Sequence, residues 1–249
     1  MKKTILCTFL SSVTLANAGS ITTEPTSTIA DWEIRTALYG WASALDGNVT
    51  LRGNQAPVDV GFDDVLENLD LALMGAVEIS RGKWSVLADV FYAELSTGNQ
   101  NGNRSFDSEL EQFMGNFVIS RNLIIEPRTK FDIFAGARVM SLKTELEIDT
   151  NLVNTFTGSE SASWVDPIIG FRFEQELSDH FFFRALGDIG GFGVSSDLTW
   201  QALAGIGYRI NDSSSLLLGY RGIGTDYEKG DFGYDVISHG VLLGWECKF

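Results

Sequence analysis

Apolar and polar side chains alternate along most of the chain from residue 32 onward. In the first such segment Trp32, Ile34 and Leu38 share one face, while the charged Glu33 and Arg35 share the other. A period of two residues with charge on only one face is typical of a β-strand whose two faces meet different surroundings. The same pattern recurs and predicts ten strands, at 32–45, 69–80, 84–95, 106–120, 130–148, 163–176, 181–194, 197–210, 215–227 and in a tenth segment that ends at residue 249.

The predicted connections differ in length in a regular way. Those after even-numbered strands are short, at 81–83, 121–129, 177–180 and 211–214, whereas most after odd-numbered strands are longer, at 46–68, 96–105, 149–162 and 226–232. Short turns at one end and longer loops at the other are typical of bacterial transmembrane barrels. The predicted fold class is therefore all-β, an antiparallel up-and-down transmembrane β-barrel of about ten strands, or of eight or twelve if one pair has been divided or merged.

A soluble β-sandwich or lipocalin-like barrel would show the same alternation with its apolar face turned inward. Two features favour the membrane. The polar faces pair acids with arginines, which suits an enclosed lumen. The apolar faces carry aromatic residues near the strand ends, as the girdles at the two membrane interfaces require: Trp32, Trp84, Tyr92, Trp200, Tyr208 and Trp245.

The start of the chain predicts export. Residues 1–3 are basic, residues 4–15 are mostly apolar, and residues 16–18 form the small-residue pattern Ala-Asn-Ala, which together predict a signal peptide at 1–18. The Ser/Thr-rich stretch 19–30 predicts a flexible periplasmic lead, so that the barrel would occupy 31–249.

Composition excludes several classes of function. The formal net charge of -15 argues against nucleic acid as a partner, because binding to phosphates needs an excess of Lys and Arg. Removal of the signal peptide would leave Cys247 as the only cysteine, so no internal disulfide is predicted. Since the chain has no Cys/His cluster with metal-ligand spacing, we predict neither a metal site nor a cofactor.

Charged residues on the predicted inward faces form the main candidate site. We interpret them as an ion-pair network that fills a narrow lumen, because a barrel of eight to ten strands is nearly filled by its side chains. The alternative is a narrow path for ions or small solutes. The predicted lumen residues are Glu33, Arg35, Glu78, Asp89, Asp132, Arg138, Asp166, Arg172, Glu174, Arg184, Asp188, Arg209, Arg221 and Glu246.

The long connection 46–68 contains a second candidate. Apolar residues recur at helical spacing between residues 62 and 69, which predicts a short amphipathic helix. This segment could pack as a lid in the barrel mouth, bind a divalent cation, or form a recognition surface. Its spacing is not that of an EF-hand loop. The acidic residues concerned are Asp59, Asp63, Asp64, Glu67 and Asp70.

Several segments resemble a widespread family of uncharacterised bacterial outer-membrane β-barrel proteins. They are residues 62–70 (FDDVLENLD), 163–173 (SWVDPIIGFRF), 187–194 (GDIGGFGV), 198–208 (LTWQALAGIGY) and 216–221 (LLLGYR). The chain departs from the family at residues 139–141 and at Cys247, where an aromatic residue is usual. The resemblance implies an outer-membrane location but no established activity.

The last predicted strand resembles the closing strand of such barrels. In that family this segment is the insertion signal for the barrel assembly machinery, and here its apolar positions are Val241, Leu243, Trp245 and Phe249. The resemblance therefore implies outer-membrane lipid and the assembly machinery as partners. We expect a monomer.

Enzymatic chemistry has little support in the sequence. The chain contains two histidines, His180 in a predicted periplasmic turn and His239 in the last strand, and the pattern identifies no partner for either at the outer rim. It contains neither a Gly-x-Ser-x-Gly elbow nor a His-Glu-x-x-His motif. We therefore predict a non-enzymatic barrel with a structural or surface-interaction role; a narrow porin-like channel is the alternative, and a surface hydrolase the third hypothesis.

Overall fold

A computed structural model describes residues 31–101, 104–150 and 154–249, with side chains described except at 97–108 and 145–158. The predicted signal peptide and periplasmic lead lie outside the described residues. The elements are β1 (Trp32–Leu51), β2 (Asn54–Val60), α1 (Phe62–Glu67), β3 (Leu69–Arg81), β4 (Trp84–Asn101), β5 (Arg104–Glu126), β6 (Thr129–Thr150), β7 (Asn154–Glu176), β8 (Phe181–Gly191), β9 (Leu198–Asn211), β10 (Ser214–Lys229) and β11 (Phe232–Lys248).

Ten antiparallel strands form a closed barrel, and β2 lies outside it as a short extra strand paired with the end of β1. Neighbouring strands in the barrel are sequential, and β11 pairs with β1 to close it, from Arg35 opposite Lys248 to Thr50 opposite Gly233. This arrangement confirms the predicted antiparallel barrel and its strand number.

Two predicted loops are wrong. Residues 96–105 and 149–162 lie mostly in strands, because β4 and β5 pair as far as Asn101 and Arg104, and β6 and β7 as far as Thr150 and Asn154. The sequence of these segments is rich in Ser, Thr, Asn and Gly, so the alternation that marks a half-buried strand is absent although the backbone pairing continues. The connection 46–68 contains β2 and the predicted short helix, which spans Phe62–Glu67.

The outward faces form an apolar band. Large apolar side chains with exposed surfaces point away from the lumen in the barrel strands, among them Ile34, Leu38, Val77, Ile79, Phe117, Ile119, Ile169, Phe171, Leu218, Val241 and Leu243. Near the termini, Arg81 lies over the ring of Trp32 and Arg121 over that of Trp84, at 5.1 and 5.3 Å. Amphipathic rings beside cationic groups are typical of a membrane interface.

The longest strands extend well beyond this band. β5 has 23 residues, which at about 3.4 Å per residue and a tilt of about 40° gives roughly 60 Å of height, against an apolar band of about 25 Å. The excess lies at the end opposite the chain termini, which is the extracellular end of such barrels. In the described part of the chain, none of the helices has the length and apolar character needed to cross a bilayer.

The outer half of the interior is a packed core. Aromatic and aliphatic side chains from most strands meet there, and the rings of Trp164 and Tyr227 stack with their centroids 4.1 Å apart. We call this cluster the outer plug, and its central members are Trp41, Phe91, Met114, Met140, Trp164, Ile223, Tyr227, Tyr234 and Val236.

The barrel wall has one interruption beside β1. Residues 32–38 of β1 pair with β3 and residues 45–51 pair with β2, so residues 39–44 have no strand partner on that side. On the facing edge, residues 69–74 of β3 pair only toward β4. We call the space between these edges the lateral gap. Helix α1 contacts β1 and is followed by Asn68, whose carbonyl accepts a bond from Ser96 of β4 at 2.9 Å.

Candidate functional site in the barrel lumen

The end of the lumen nearest the termini contains a layer of ion pairs, here called the periplasmic layer. Arg172 on β7 donates to Glu78 at 2.5 Å and to Asp132 at 2.9 Å. Next to it, Arg184 on β8 bonds to Glu174 at 2.7 Å. Asp132 and Glu174 are the cross-strand neighbours of these two arginines, whereas Glu78 lies on β3, so the bond from Arg172 to Glu78 crosses the lumen.

Further pairs complete this layer. Arg184 also bonds to Glu246 of β11, and Arg209 bonds to Glu176. Arg35 contacts Glu33 at 3.4 Å, and Lys248 donates to the same carboxylate at 2.6 Å. Because each carboxylate has a cationic partner, the layer offers few unpaired charges to a solute.

Deeper in the barrel, Arg138 of β6 is the centre of a second layer, the central layer. Its side chain has no solvent exposure, and it bonds to both carboxylate oxygens of Asp188, at 2.8 and 2.9 Å. Its other donors reach Asn116 and Thr199, each at 2.8 Å. A fully buried guanidinium is tolerated only when it is paired and hydrogen-bonded in this way.

Arg221 of β10 is the second cation of the central layer. It donates to Asp89 at 2.9 Å, to Tyr39 at 3.0 Å and to Gln201 at 2.7 Å. Its guanidinium carbon also lies 5.3 Å from the centre of the Trp41 ring in the outer plug. Arg221 thus connects the polar layer to the aromatic core above it.

Asp166 differs from the other predicted lumen residues. Its carboxylate accepts from the backbone NH of Ser196 at 2.8 Å and from the Ser196 hydroxyl at 2.6 Å, and both residues are fully buried. Ser196 belongs to the connection between β8 and β9, so Asp166 holds this outer loop against the lumen.

All fourteen predicted lumen residues lie on inward faces, and thirteen of them, all but Asp166, take part in an ion pair. The sequence did not identify the further side chains that bond to these charged residues, although each lies on the inward face of a predicted strand. These partners are Tyr39, Asn116, Thr199 and Gln201, together with the carboxylate of Glu176.

His239 has partners that the sequence did not identify. Its Nε2 lies 2.8 Å from a carboxylate oxygen of Asp46 on β1, and its Nδ1 lies 2.5 Å from the hydroxyl of Tyr220 on β10. All three side chains are on the outer surface of the barrel. The sequence pattern did not identify these partners, because they come from the two flanking strands and not from the strand of His239.

The acidic connection before β3 forms no evident ion site. Among the described residues, no group of three or more His, Cys, Asp or Glu side chains is arranged to hold a metal ion. Helix α1 has no fully buried residue, and Phe62 and Leu66 are exposed. It is therefore not a lid packed into the barrel mouth.

The closing strand has the predicted alternation. Val241, Leu243 and Trp245 face outward with exposed side chains, Leu242 between them is buried in the lumen, and Phe249 follows the end of β11. Their role as an assembly signal stays a prediction.

Searches of protein-family models and of curated proteins returned no match. Solved structures do match. The outer membrane protease OmpT from Escherichia coli aligns with a TM-score of 0.54 at 11% identity, over 90% of this chain and 99% of OmpT. The attachment invasion locus protein Ail of Yersinia pestis aligns at 0.36 and 11% identity, over 89% and 100%, and the neisserial surface protein NspA at 0.33 and 11%, over 88% and 97%.

At these identities the likeness to OmpT establishes a shared fold and nothing about activity. The closed antiparallel barrel, the outward apolar band and the charged, buried lumen agree with that fold. The chain therefore has the closed antiparallel β-barrel fold of the outer membrane protease OmpT.

Proposed function

We propose that this protein is a closed, non-conducting barrel that anchors an acidic extracellular extension for interactions at the cell surface. The main support for a closed, non-conducting barrel is the burial of Arg138 in the central layer and of Asp166 beside it, since neither has any solvent exposure. Water does not reach these groups, and a continuous aqueous path would have to pass them.

The outer plug supports the same proposal. It fills the lumen beyond the central layer with aromatic and aliphatic side chains, so two different kinds of barrier act in series. A permeant ion would have to break buried ion pairs and then cross an apolar core, and both steps are costly.

Single-channel recording tests this proposal. The refolded protein in a planar bilayer should give no stable open levels in 1 M KCl. A variant with Arg138→Ser and Arg221→Ser, checked for folding by heat-modifiable electrophoretic mobility, serves as the matched control because it removes the two central cations. Stable, salt-dependent open levels from the unmodified protein would overturn the proposal and favour the narrow porin-like channel.

The extracellular end is strongly acidic, which supports the interaction role. Asp226 and Asp235 are cross-strand neighbours in the β10–β11 hairpin, and the NH of Asp197 bonds to the Asp226 carbonyl at 2.9 Å. Like charges placed opposite each other are unfavourable for the fold. Their presence is better explained by a cationic partner than by stability.

A cationic peptide such as an octa-lysine tests this part. We expect it to bind the folded barrel at low ionic strength and to bind at least several-fold more weakly when Asp226 and Asp235 are both replaced by Asn. The matched control changes Asp132 to Asn, because this carboxylate lies in the periplasmic layer. Equal binding by the doubly substituted and unmodified proteins would contradict the role of the acidic end.

We further propose that the barrel is not an enzyme. His239 and Asp46 form an acid–base pair on the outward face of the barrel, and the hydroxyl in contact with His239 is the phenol of Tyr220 and not that of a serine. Ester or peptide hydrolysis by the purified protein that disappears on His239→Ala would overturn this proposal.

A further inference from the structure

A cavity of about 150 Å³ lies in the lumen between the periplasmic layer and the central layer. Arg172, Arg184 and Glu246 border it on one side, and Arg221, Asp89 and Asp188 on the other. Its walls are mainly apolar and include Leu87, Val118, Leu186, Leu203, Leu217 and Leu242. The ion pairs therefore form two separate layers with an apolar space between them.

In the described part of the chain, one buried polar atom of a residue that borders this cavity lacks a hydrogen-bond partner. Arg221 borders the cavity, is 2% exposed, and uses its two terminal nitrogens for Tyr39, Asp89 and Gln201. Its Nε has no hydrogen-bond partner among the described residues. A buried donor on a charged group is costly to leave unsatisfied, so the site favours a bound acceptor.

We propose that the cavity binds a small neutral molecule with one aromatic ring and one hydroxyl group, of which phenol is the simplest example. A cavity of about 150 Å³ lined by aliphatic side chains accommodates benzene. The aliphatic walls would contact the ring, and the hydroxyl would turn toward Arg221, whose Nε has no hydrogen-bond partner in the described structure, and toward the carboxylate of Asp89.

We infer that the lateral gap, which begins beside the cavity at Tyr39, is the access route from the membrane. Tyr39 borders the cavity and is also the first residue of β1 without a partner on the gap side. The outward residues beyond it are small, namely Gly40, Ala42 and Ala44. A side chain added at Gly40 would meet no atom within 4 Å of its Cβ, so the lipid side of this edge is open. An apolar solute dissolved in the membrane would enter beside Tyr39, without crossing the periplasmic layer.

Fluorine NMR of 4-fluorophenol with the detergent-folded full chain tests the site, because bound probe and micelle-dissolved probe give separate signals. We expect a saturable bound signal that weakens at least tenfold in Leu217→Trp, which fills the cavity. It should persist in Leu218→Trp, since Leu218 faces lipid. Should Leu217→Trp not fold, Leu203→Phe with Ala204→Phe as its outward control answers the same question.

A second probe tests the role of Arg221. 4-Fluorotoluene has the ring without the oxygen acceptor, and we expect it to bind about tenfold more weakly than 4-fluorophenol, the effect of losing one bond to a charged donor. Equal affinity of the two probes would overturn the assignment of the acceptor. No bound signal, or one unchanged by the cavity-filling variants, would overturn the site itself.

The access route has its own readout. Gly40→Trp should slow exchange of the probe several-fold while leaving its affinity unchanged, and unchanged exchange would overturn the lateral route. Binding in this cavity goes beyond the proposed surface role. The two are distinguishable, because conductance reports on the closed lumen whether or not the probe binds.

Discussion

Arg138→Met perturbs the central layer most directly. The change removes a fully buried cation and leaves the Asp188 carboxylate, whose side chain is 2% exposed, without the two bonds of 2.8 and 2.9 Å that Arg138 donates. Breaking one partner of a buried pair in this way costs about 3–5 kcal/mol, mostly because the remaining charge is buried and unpaired.

A control variant separates the free-energy cost of breaking the buried pair from any general effect of replacing an arginine. Arg52 contacts Glu160 at 3.8 Å with side-chain exposures of 65% and 39%, and such a surface pair contributes only about 0–1 kcal/mol. Arg52→Met is therefore the matched control. Combining Arg138→Met with Asp188→Leu removes both charges, and the double variant should regain most of the loss, because an apolar replacement of a buried pair is often close to neutral.

Urea titration of the detergent-folded protein gives the free energies of unfolding, with tryptophan fluorescence and heat-modifiable mobility as independent probes. We expect a loss of about 3–5 kcal/mol for Arg138→Met, below about 1 kcal/mol for Arg52→Met, and partial recovery in the double variant. If Arg138→Met costs no more than the surface control, the central layer is hydrated and the argument for a closed lumen fails.

Three further outcomes are expected. Ser196→Ala removes the hydroxyl that donates to Asp166 at 2.6 Å. It should lower the free energy of unfolding by about 1–2 kcal/mol and make the β8–β9 connection more sensitive to protease. Unchanged protection from protease would contradict this role of Ser196. Deleting Phe249 should slow membrane insertion by the assembly machinery but not refolding in detergent, and equal slowing in both would refute a signal role. His239→Ala should change the stability by less than about 1 kcal/mol, because its bond to Asp46 is exposed, and a larger loss would show that this contact closes the barrel.

The strands could be predicted from the sequence because each one separates an apolar environment from a polar one. Wherever this contrast exists, as from Ile133 to Val139, alternation identifies both the strand and its inward side. The contrast disappears where strands extend into water, so the hairpins around residues 101–104 and 150–154 were predicted as loops.

The candidate site could be predicted only in part. Alternation identifies inward residues but not which of them meet, because partners such as Arg221 and Asp89 are 132 residues apart and face each other across the lumen. The lateral gap depends on β1 dividing its pairing between β2 and β3, which no local pattern indicates. The cavity follows from the spacing of two layers, a property of the closed barrel as a whole.

The central claim is that the apolar face of each strand meets hydrocarbon while the lumen is closed to water. A nitroxide placed in turn at positions 133, 134, 135 and 140 of β6 tests both parts through its collisions with oxygen and with a water-soluble nickel complex. The outward positions 133 and 135 should collide with oxygen alone, and the inward positions 134 and 140 with neither reagent. Nickel collisions at the inward positions would show a water-filled lumen, and nickel collisions at the outward positions would show that the apolar face does not lie in the membrane.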